Sequence, residues 1–172
     1  IFTLDPKLIV FLSNFENNSL LATKYKLILE DHNLVMNNVG FKLSELDLEM
    51  ISQIKKQGLS VCCTMGMMNA QQAKQLVDAG IVAYNHNLDT SNEYYPQIIS
   101  TRSYKERLET IDRLTEAGAQ FCSGGIIGLG ESNNDRIAMI HQLATLKKHP
   151  YTVPLNLLVP VKGTPLENNP LL

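Results

Sequence analysis

From about residue 44 onward, apolar residues recur with two alternating periods. Stretches with helical spacing, such as Leu46, Met50, Ile51 and Ile54, are followed by short continuous apolar runs, such as residues 59–65. Helical spacing marks one buried face of a helix, whereas a short apolar run next to glycine is typical of a strand buried on both faces. The pattern therefore predicts a succession of helix–strand units.

The predicted helices span residues 45–57, 70–79, about 103–117 and about 134–146, and the predicted strands span 59–65, 81–85, 119–127 and 153–159. Gly58, Gly80 and Gly118 each follow a helix and directly precede a strand, which is the usual position of a left-handed helix cap. Regular alternation of this kind predicts a mainly parallel sheet with right-handed crossovers. Both an open doubly wound sheet and a (β/α) barrel satisfy it.

The first 43 residues fit this rhythm less well. Asparagine, which favours turns, is frequent there. A strand over residues 9–12 and a helix over residues 20–29 are the elements that the pattern predicts.

Polar residues stand at similar depths of successive predicted strands. Cys62 and Cys122 each lie four positions after the glycine that ends the preceding helix, Asn85 lies five positions after its glycine, and Asn156 interrupts the last apolar run. Strands buried on both faces should be continuously apolar, and a buried amide without partners costs about 1–3 kcal/mol. A shared polar site at the carboxyl ends of the strands is one interpretation; inert buried thiols and a core amide are the other.

The segment of residues 84–90 strengthens the first interpretation. Side chains alternate along an extended chain, so Asn85, Asn87 and Asp89 share one face if the strand continues that far. Two amides and a carboxylate suit a ligand rich in hydroxyl and amide groups. Asn87 and Asp89 would equally well make a turn or cap the next helix. His86 points to the other face and is predicted to be structural.

Residues 123–131 form a glycine-rich stretch between a predicted strand and helix. Glycine lets a ligand approach the backbone closely, but the stretch is neither G-x-G-x-x-G nor a P-loop. Glu131 is expected to disfavour an anion at the next helix start, which favours a ring or a neutral group as the ligand.

Composition restricts the class of protein without identifying it. The chain has 172 residues and a net charge of −2, which fits one domain and gives no reason to expect nucleic acid or an anionic membrane as a partner. No apolar run reaches the roughly 18 residues that span a membrane. The three cysteines lack zinc-ligand spacing and indicate a reducing compartment. Because the chain does not begin with Met, we expect it to be an internal piece of a longer product.

Four segments together resemble the biotin synthase family of radical S-adenosylmethionine enzymes: residues 84–91, 101–107, 122–131 and 153–166. The resemblance divides the chain into a poorly matching segment, 1–46, a family-like segment, 47–168, and a tail, 169–172. It implies an incomplete (β/α) TIM-type barrel of parallel strands with about four to five β/α units.

The family implies a radical mechanism. A [4Fe-4S] cluster cleaves S-adenosylmethionine, the 5′-deoxyadenosyl radical takes hydrogens from dethiobiotin, and a [2Fe-2S] cluster supplies the sulfur that makes biotin. An electron donor protein and a homodimeric complete enzyme are implied as partners. The expected location is the cytoplasm, or an organelle if a targeting segment precedes the chain.

The resemblance also implies roles for particular residues. Asn87 and Asp89 resemble the residues that hold the ribose of S-adenosylmethionine, Arg107 resembles the partner of its carboxylate, and the backbone near Ile126 resembles the edge that meets adenine. No catalytic side chain is implied.

Metal ligands and substrate contacts follow in the same way. Cys62 and Cys122 resemble two thiolate ligands of the [2Fe-2S] cluster. Asn85 and Asn156, with Asn87, resemble the contacts to the ureido ring of dethiobiotin.

The chain departs from the family in one respect that bears on activity. The radical cluster requires a C-x-x-x-C-x-x-C loop, and the sequence contains none. We therefore expect no turnover from this polypeptide alone. A truncated or divergent non-catalytic product that binds S-adenosylmethionine weakly is the alternative. A related radical enzyme with another substrate is disfavoured by the four residues Asn85, Asn87, Asp89 and Asn156.

Overall fold

The computed structural model describes residues 43–170, so the elements predicted over residues 9–12 and 20–29 lie outside the described residues. The described helices are α1 (Glu45–Lys56), α2 (Ala70–Ala79), α3 (Tyr95–Ile98), α4 (Tyr104–Glu116) and α5 (Asn133–Ala144). The strands are β1 (Cys62–Cys63), β2 (Ala83–Asn85), β3 (Gln120–Cys122), β4 (Gly125–Ile127) and β5 (Leu155–Leu157). The four longer helices lie where the sequence predicts them, whereas the short α3 was not predicted.

All strand pairs in the described part of the chain are parallel. One ladder has the order β1-β2-β3 and a second joins β4 to β5. Parallel bridges between Asp89 and Gly125 and between Cys122 and Thr152 connect the two ladders. The result is one sheet of parallel strands in chain order, which is the connectivity of a (β/α) barrel.

The predicted strand over residues 119–127 is divided into β3 and β4 at residues 123–124, opposite a β-bulge in the extension of β2. The backbone N–H groups of Leu88 and Asp89 both donate to the Gly124 carbonyl at 3.0 Å, so two residues of the β2 extension oppose one residue of its neighbour. Asp89 absorbs the extra residue with a φ of 68°. A Cβ on Gly124 would overlap the carbonyl oxygen of Pro154 on the neighbouring strand. Only glycine allows this approach.

Helix starts are fixed by side chains. Capping boxes form at Ser44 with Asp47, Asn69 with Gln72, Ser103 with Glu106, and Ser132 with Asp135. In each, both partners satisfy N–H groups that the helix leaves free, and loss of such a cap costs about 1 kcal/mol.

The helices pack on one face of the sheet. One apolar cluster contains Ile51, Leu76, Tyr84 and Leu114, and a second contains Leu88, Tyr95, Ile111, Phe121 and Met139. The second cluster anchors α3 and α4 against the bulged part of the sheet. The opposite face of the sheet carries the polar residues described below.

Replacing Gly124 by alanine should disrupt the bulge. We expect the free energy of unfolding to fall by about 1–3 kcal/mol, because the new methyl group meets the backbone of the next strand and cannot be accommodated by a side-chain rotation. Hydrogen exchange of the Gly125 amide, which donates to the Pro154 carbonyl at 3.0 Å, should accelerate. Chemical denaturation and exchange mass spectrometry measure the two effects.

Gly118→Ala is the matched control, because Gly118 has a φ of 92° with no atom near its would-be Cβ. It should cost about 1 kcal/mol through backbone strain alone and leave the Gly125 amide unchanged. Equal behaviour of the two variants would contradict the steric argument.

Candidate functional site

Burial alternates along residues 84–89 and separates two faces. Tyr84, His86 and Leu88 are buried beneath the helices, whereas Asn85 and Asn87 are partly exposed on the other side. His86 takes the structural position that the sequence predicts, and burial lowers its pKa to about 4.

The strand register brings the other predicted residues to the face of Asn85. Asn85 pairs with Cys122, and Cys62 pairs with Ala83, two residues before Asn85. Paired residues of a parallel ladder point to the same side, so both cysteines share the face of Asn85. The neighbouring Cys63 points the other way into the core.

Ile126 and Asn156 belong to the same face. The backbone N–H groups of Ser123 and Gly125 donate to the carbonyls of residues 152 and 154, so side chains alternate regularly from β3 into β4. Alternation from Cys122 then places Ile126 on the polar face, and Ile126 pairs with Asn156.

The thiols of Cys62 and Cys122 lie on one face of the sheet, on the strands that flank β2. The pKa of the Cys122 thiol is lowered to about 6, first because Cys62 can donate a hydrogen bond to its thiolate and then because Thr152 can do the same. The pKa of Cys62 is raised, first by its interaction with Cys122 and then by burial. A lowered pKa favours the thiolate form, which is the form that ligates metals.

Asp89 and Arg107 form an ion pair at the rim of this face. The Arg107 Nη2 atom lies 3.0 Å from Asp89 Oδ2, and both side chains are about one-fifth exposed, at 22% and 18%. Burial raises the pKa of Asp89, and the guanidinium of Arg107 opposes that rise. The positive φ of Asp89 turns the carboxylate from the sheet toward α4, which the simple alternation in the sequence does not predict.

The two amides of β2 and its extension differ in their partners. Asn87 Oδ1 accepts from the Gly124 N–H at 3.1 Å and so braces the bulge. Asn85 Oδ1 is buried and has no hydrogen-bond partner within residues 43–170. An unsatisfied buried acceptor costs about 1–3 kcal/mol and indicates a group that a ligand would satisfy.

The carboxylate of Glu131 holds the glycine-rich loop, and its effect on an anion at the next helix start stays a prediction. This carboxylate is not a free charge. It accepts from the Gly128 N–H at 3.0 Å and from Arg136 Nε at 2.7 Å. Burial raises the pKa of Glu131, but these two donors hold it below its usual value. Tyr94 OH also donates to the Leu129 carbonyl at 3.2 Å, which fixes the loop beside the polar face.

Two residues near the site were missed by the sequence argument. Thr152 pairs with Cys122 in a parallel bridge, and its position four residues before Asn156 on the same face is a signal that alternation supplies. Tyr95 bonds Arg107, and no local pattern reveals that contact.

The comparisons with known proteins identify the family. Residues 29–143 match the radical SAM superfamily. The chain belongs to the radical SAM superfamily. Proteins of this superfamily use S-adenosylmethionine and a [4Fe-4S] cluster. Within residues 43–170 no group of three or more His, Cys, Asp or Glu is placed to hold a metal ion. The three cysteines of the sequence include no C-x-x-x-C-x-x-C, so its residues do not fit the role of ligands to that cluster.

The radical SAM chain resembles curated biotin synthases, as the sequence motifs predict. It is 60% identical to the biotin synthase of Schizosaccharomyces pombe over 119 residues, which is 69% of this chain and 33% of that protein. It is also 60% identical to the mitochondrial biotin synthase of Arabidopsis thaliana over 121 residues, 70% of this chain and 32% of that protein. The chain thus spans about a third of these relatives. Such identity does not favour the alternative of a divergent product.

Two solved structures share the fold. Methylornithine synthase (PylB) superposes with a TM-score of 0.65 at 21% identity over 70% of this chain and 36% of its own. HydG, a maturase of the [FeFe]-hydrogenase, gives 0.59 at 20% identity over 72% of this chain and 31% of its own. The predicted incomplete (β/α) barrel is confirmed. Among the described helices, none has the length and apolar character needed to cross a bilayer.

Replacing Cys62 by alanine should raise the pKa of Cys122 from about 6 toward its ordinary value of 9.0, because the thiolate loses its main donor. Alkylation of Cys122 by iodoacetamide at pH 7 should fall severalfold, since a thiol is protonated below its pKa. Peptide mass spectrometry quantifies the rate in the metal-free chain. Cys63→Ala is the control, because that buried thiol faces the core. An unchanged alkylation rate of Cys122 in Cys62→Ala would refute the claim that Cys62 lowers the pKa of Cys122.

Proposed function

We propose that this chain is the part of a biotin synthase that binds a [2Fe-2S] cluster, the nucleoside and carboxylate of S-adenosylmethionine, and dethiobiotin. One observation carries the proposal: the strand register places the thiols of Cys62 and Cys122 on the same sheet face as the amides of Asn85, Asn87 and Asn156. Thiolates beside hydrogen-bonding amides fit an enzyme that transfers sulfur to a cyclic urea.

The thiol pair fits two ligands of the cluster. Cys62 and Cys122 lie on strands separated by β2, or about 9–10 Å between strand axes. A disulfide requires Cα atoms about 4.4–6.8 Å apart, so the strand spacing disfavours a disulfide. Cysteine thiolates are the usual protein ligands of iron–sulfur clusters, so two cysteines on one sheet face can provide two of them. A [2Fe-2S] cluster held there would supply the sulfur atom, with its other ligands from outside residues 43–170.

The rim of the site suits S-adenosylmethionine. Asp89 presents a carboxylate that accepts hydrogen bonds from ribose hydroxyls, and Arg107 presents a guanidinium that pairs with a carboxylate. The backbone near Ile126 adjoins the braced glycine loop and is the proposed edge that meets adenine, although the Ile126 N–H itself donates to the Asp89 carbonyl at 2.8 Å. Asn87 lies between the ribose and substrate positions.

The amides suit the ureido ring of dethiobiotin. The unsatisfied Asn85 Oδ1 accepts from a ureido N–H, and Asn156 can donate to the ureido carbonyl. The ureido ring is uncharged, and the Asp89 carboxylate at this rim is already paired with Arg107.

The whole enzyme requires more than this segment. The [4Fe-4S] cluster, a reducing partner protein and a homodimeric assembly are proposed for the complete protein. The cytoplasm is the proposed location, with an organelle as the alternative, because relatives from Arabidopsis thaliana and Emericella nidulans are named mitochondrial.

The proposal is tested by anaerobic assay with reductant, S-adenosylmethionine and dethiobiotin. The gene product as the cell makes it should form biotin, which is quantified by mass spectrometry. Residues 1–172 alone should give no turnover, because their three cysteines cannot ligate both clusters. Biotin from the 172-residue chain would contradict the second expectation, and a native product without biotin formation would refute the proposed activity.

Replacing Asn156 by alanine in the native gene product should separate the two ligands. We expect dethiobiotin binding to weaken by about tenfold, because a buried hydrogen bond to a neutral group contributes about 1 kcal/mol or somewhat more. Binding of S-adenosylmethionine should change less than twofold. Isothermal titration measures both. Ser100→Ala, at an exposed position, is the control. Equal losses for both ligands would undo the division of roles.

A further inference from the structure

Tyr95 makes a contact with Arg107 that the proposed function does not use. The Tyr95 hydroxyl accepts a hydrogen bond from Arg107 Nε at 2.9 Å. The guanidinium carbon lies 5.9 Å from the ring centroid, at the outer limit of a cation–π contact. The hydrogen bond therefore contributes more than the ring to the position of Arg107.

The bonds of Arg107 leave one edge of its guanidinium open. Nε is bound by Tyr95 and Nη2 by Asp89, at 2.9 and 3.0 Å. Nη1 has no hydrogen-bond partner among the described residues. Because the group is planar, these two contacts fix its orientation. Nη1 keeps both of its N–H donors and lies on the Nη1–Nη2 edge, which matches the two oxygens of a carboxylate.

Tyr95 is rigid enough to act as an anchor. It is 1% exposed in the second apolar cluster, and its ring meets Tyr104 edge-on at 5.4 Å and 73°. Its backbone N–H donates to the Ser91 carbonyl at 2.9 Å, and its carbonyl accepts from Ile99 at 3.0 Å. Because these contacts fix both the backbone and the ring of Tyr95, its hydroxyl has a fixed position. The hydroxyl therefore determines where the Arg107 guanidinium lies.

We propose that Tyr95 is a positioning residue whose hydroxyl holds the Arg107 guanidinium with its Nη1–Nη2 edge presented to the carboxylate of the bound ligand. This inference rests on the proposed function, in which that ligand is S-adenosylmethionine. Tyr95 does not touch the ligand; it acts through Arg107.

Two variants and two ligands test the proposal in the native gene product with its clusters reconstituted anaerobically. Tyr95→Phe keeps the ring and removes the hydroxyl. Tyr104→Phe is the matched control, because the Tyr104 hydroxyl is buried without a partner in the described part of the chain. Dissociation constants are measured for S-adenosylmethionine and for decarboxylated S-adenosylmethionine, which lacks the carboxylate.

Tyr95→Phe should weaken S-adenosylmethionine binding by about 5- to 10-fold, which is less than the loss of a direct hydrogen bond to a charged group because Tyr95 acts through Arg107. Binding of the decarboxylated ligand should change less than twofold. Tyr104→Phe should leave both constants within twofold. Equal losses for both ligands in Tyr95→Phe, or no loss for either, would overturn the positioning role.

Arg107→Ala separates failure of this inference from failure of the proposed function. It should remove the preference for the carboxylate-bearing ligand. If Arg107→Ala loses that preference and Tyr95→Phe keeps it, only the role of Tyr95 is wrong. If Arg107→Ala keeps it, Arg107 does not bind the carboxylate, and the proposed site and this inference both fail.

A readout without ligand completes the test. In ¹⁵N-arginine-labelled protein, exchange of the Arg107 Nε–H with water should be faster in Tyr95→Phe than in wild type and unchanged in Tyr104→Phe. The hydroxyl that accepts this proton is present only in the wild type and the control. Equal exchange rates in all three proteins would overturn the anchoring contact.

Discussion

The close backbone approach at Gly124 is the constraint on which the site depends. Its carbonyl accepts from both Leu88 and Asp89, and its would-be Cβ position is filled by the Pro154 carbonyl. These contacts join the two ladders into one sheet and create the bulge that turns Asp89 toward Arg107. Without the bulge the carboxylate would continue the alternation of Asn85 and Asn87 and would miss the guanidinium. A single glycine thus sets the geometry of the rim.

The two faces of the sheet differ in polarity and in their contribution to stability. Tyr84, Leu88 and Phe121 lie under the helices and contribute apolar burial, at about 25 cal/mol for each Å² removed from water. The other face holds thiols and amides, one of which, Asn85, leaves a buried acceptor unsatisfied. Such a group destabilises the free protein and is typical of a binding site. The apolar face therefore stabilises a fold whose polar face is committed to ligands.

Charge at the site is arranged in pairs. The interaction between the thiols of Cys62 and Cys122 raises the pKa of Cys62 and lowers the pKa of Cys122, which favours a thiolate at Cys122. Asp89 and Arg107 neutralise each other across 3.0 Å. Each pair holds its members in place before a ligand arrives, so that binding exchanges partners and does not order free side chains. Preorganisation of this kind suits a site that must orient a reactive cofactor beside its substrate.

The sequence by itself determined the helix–strand order, the capping boxes such as Ser103 with Glu106, and the shared face of Cys62, Asn85 and Cys122, because these depend on local periodicity and on spacing from helix ends. The motifs also determined the family. Only the tertiary structure decided the bulge at Gly124 and the contact of Tyr95 with Arg107. Each of these depends on a close approach between segments distant in sequence, about which local periodicity carries no information.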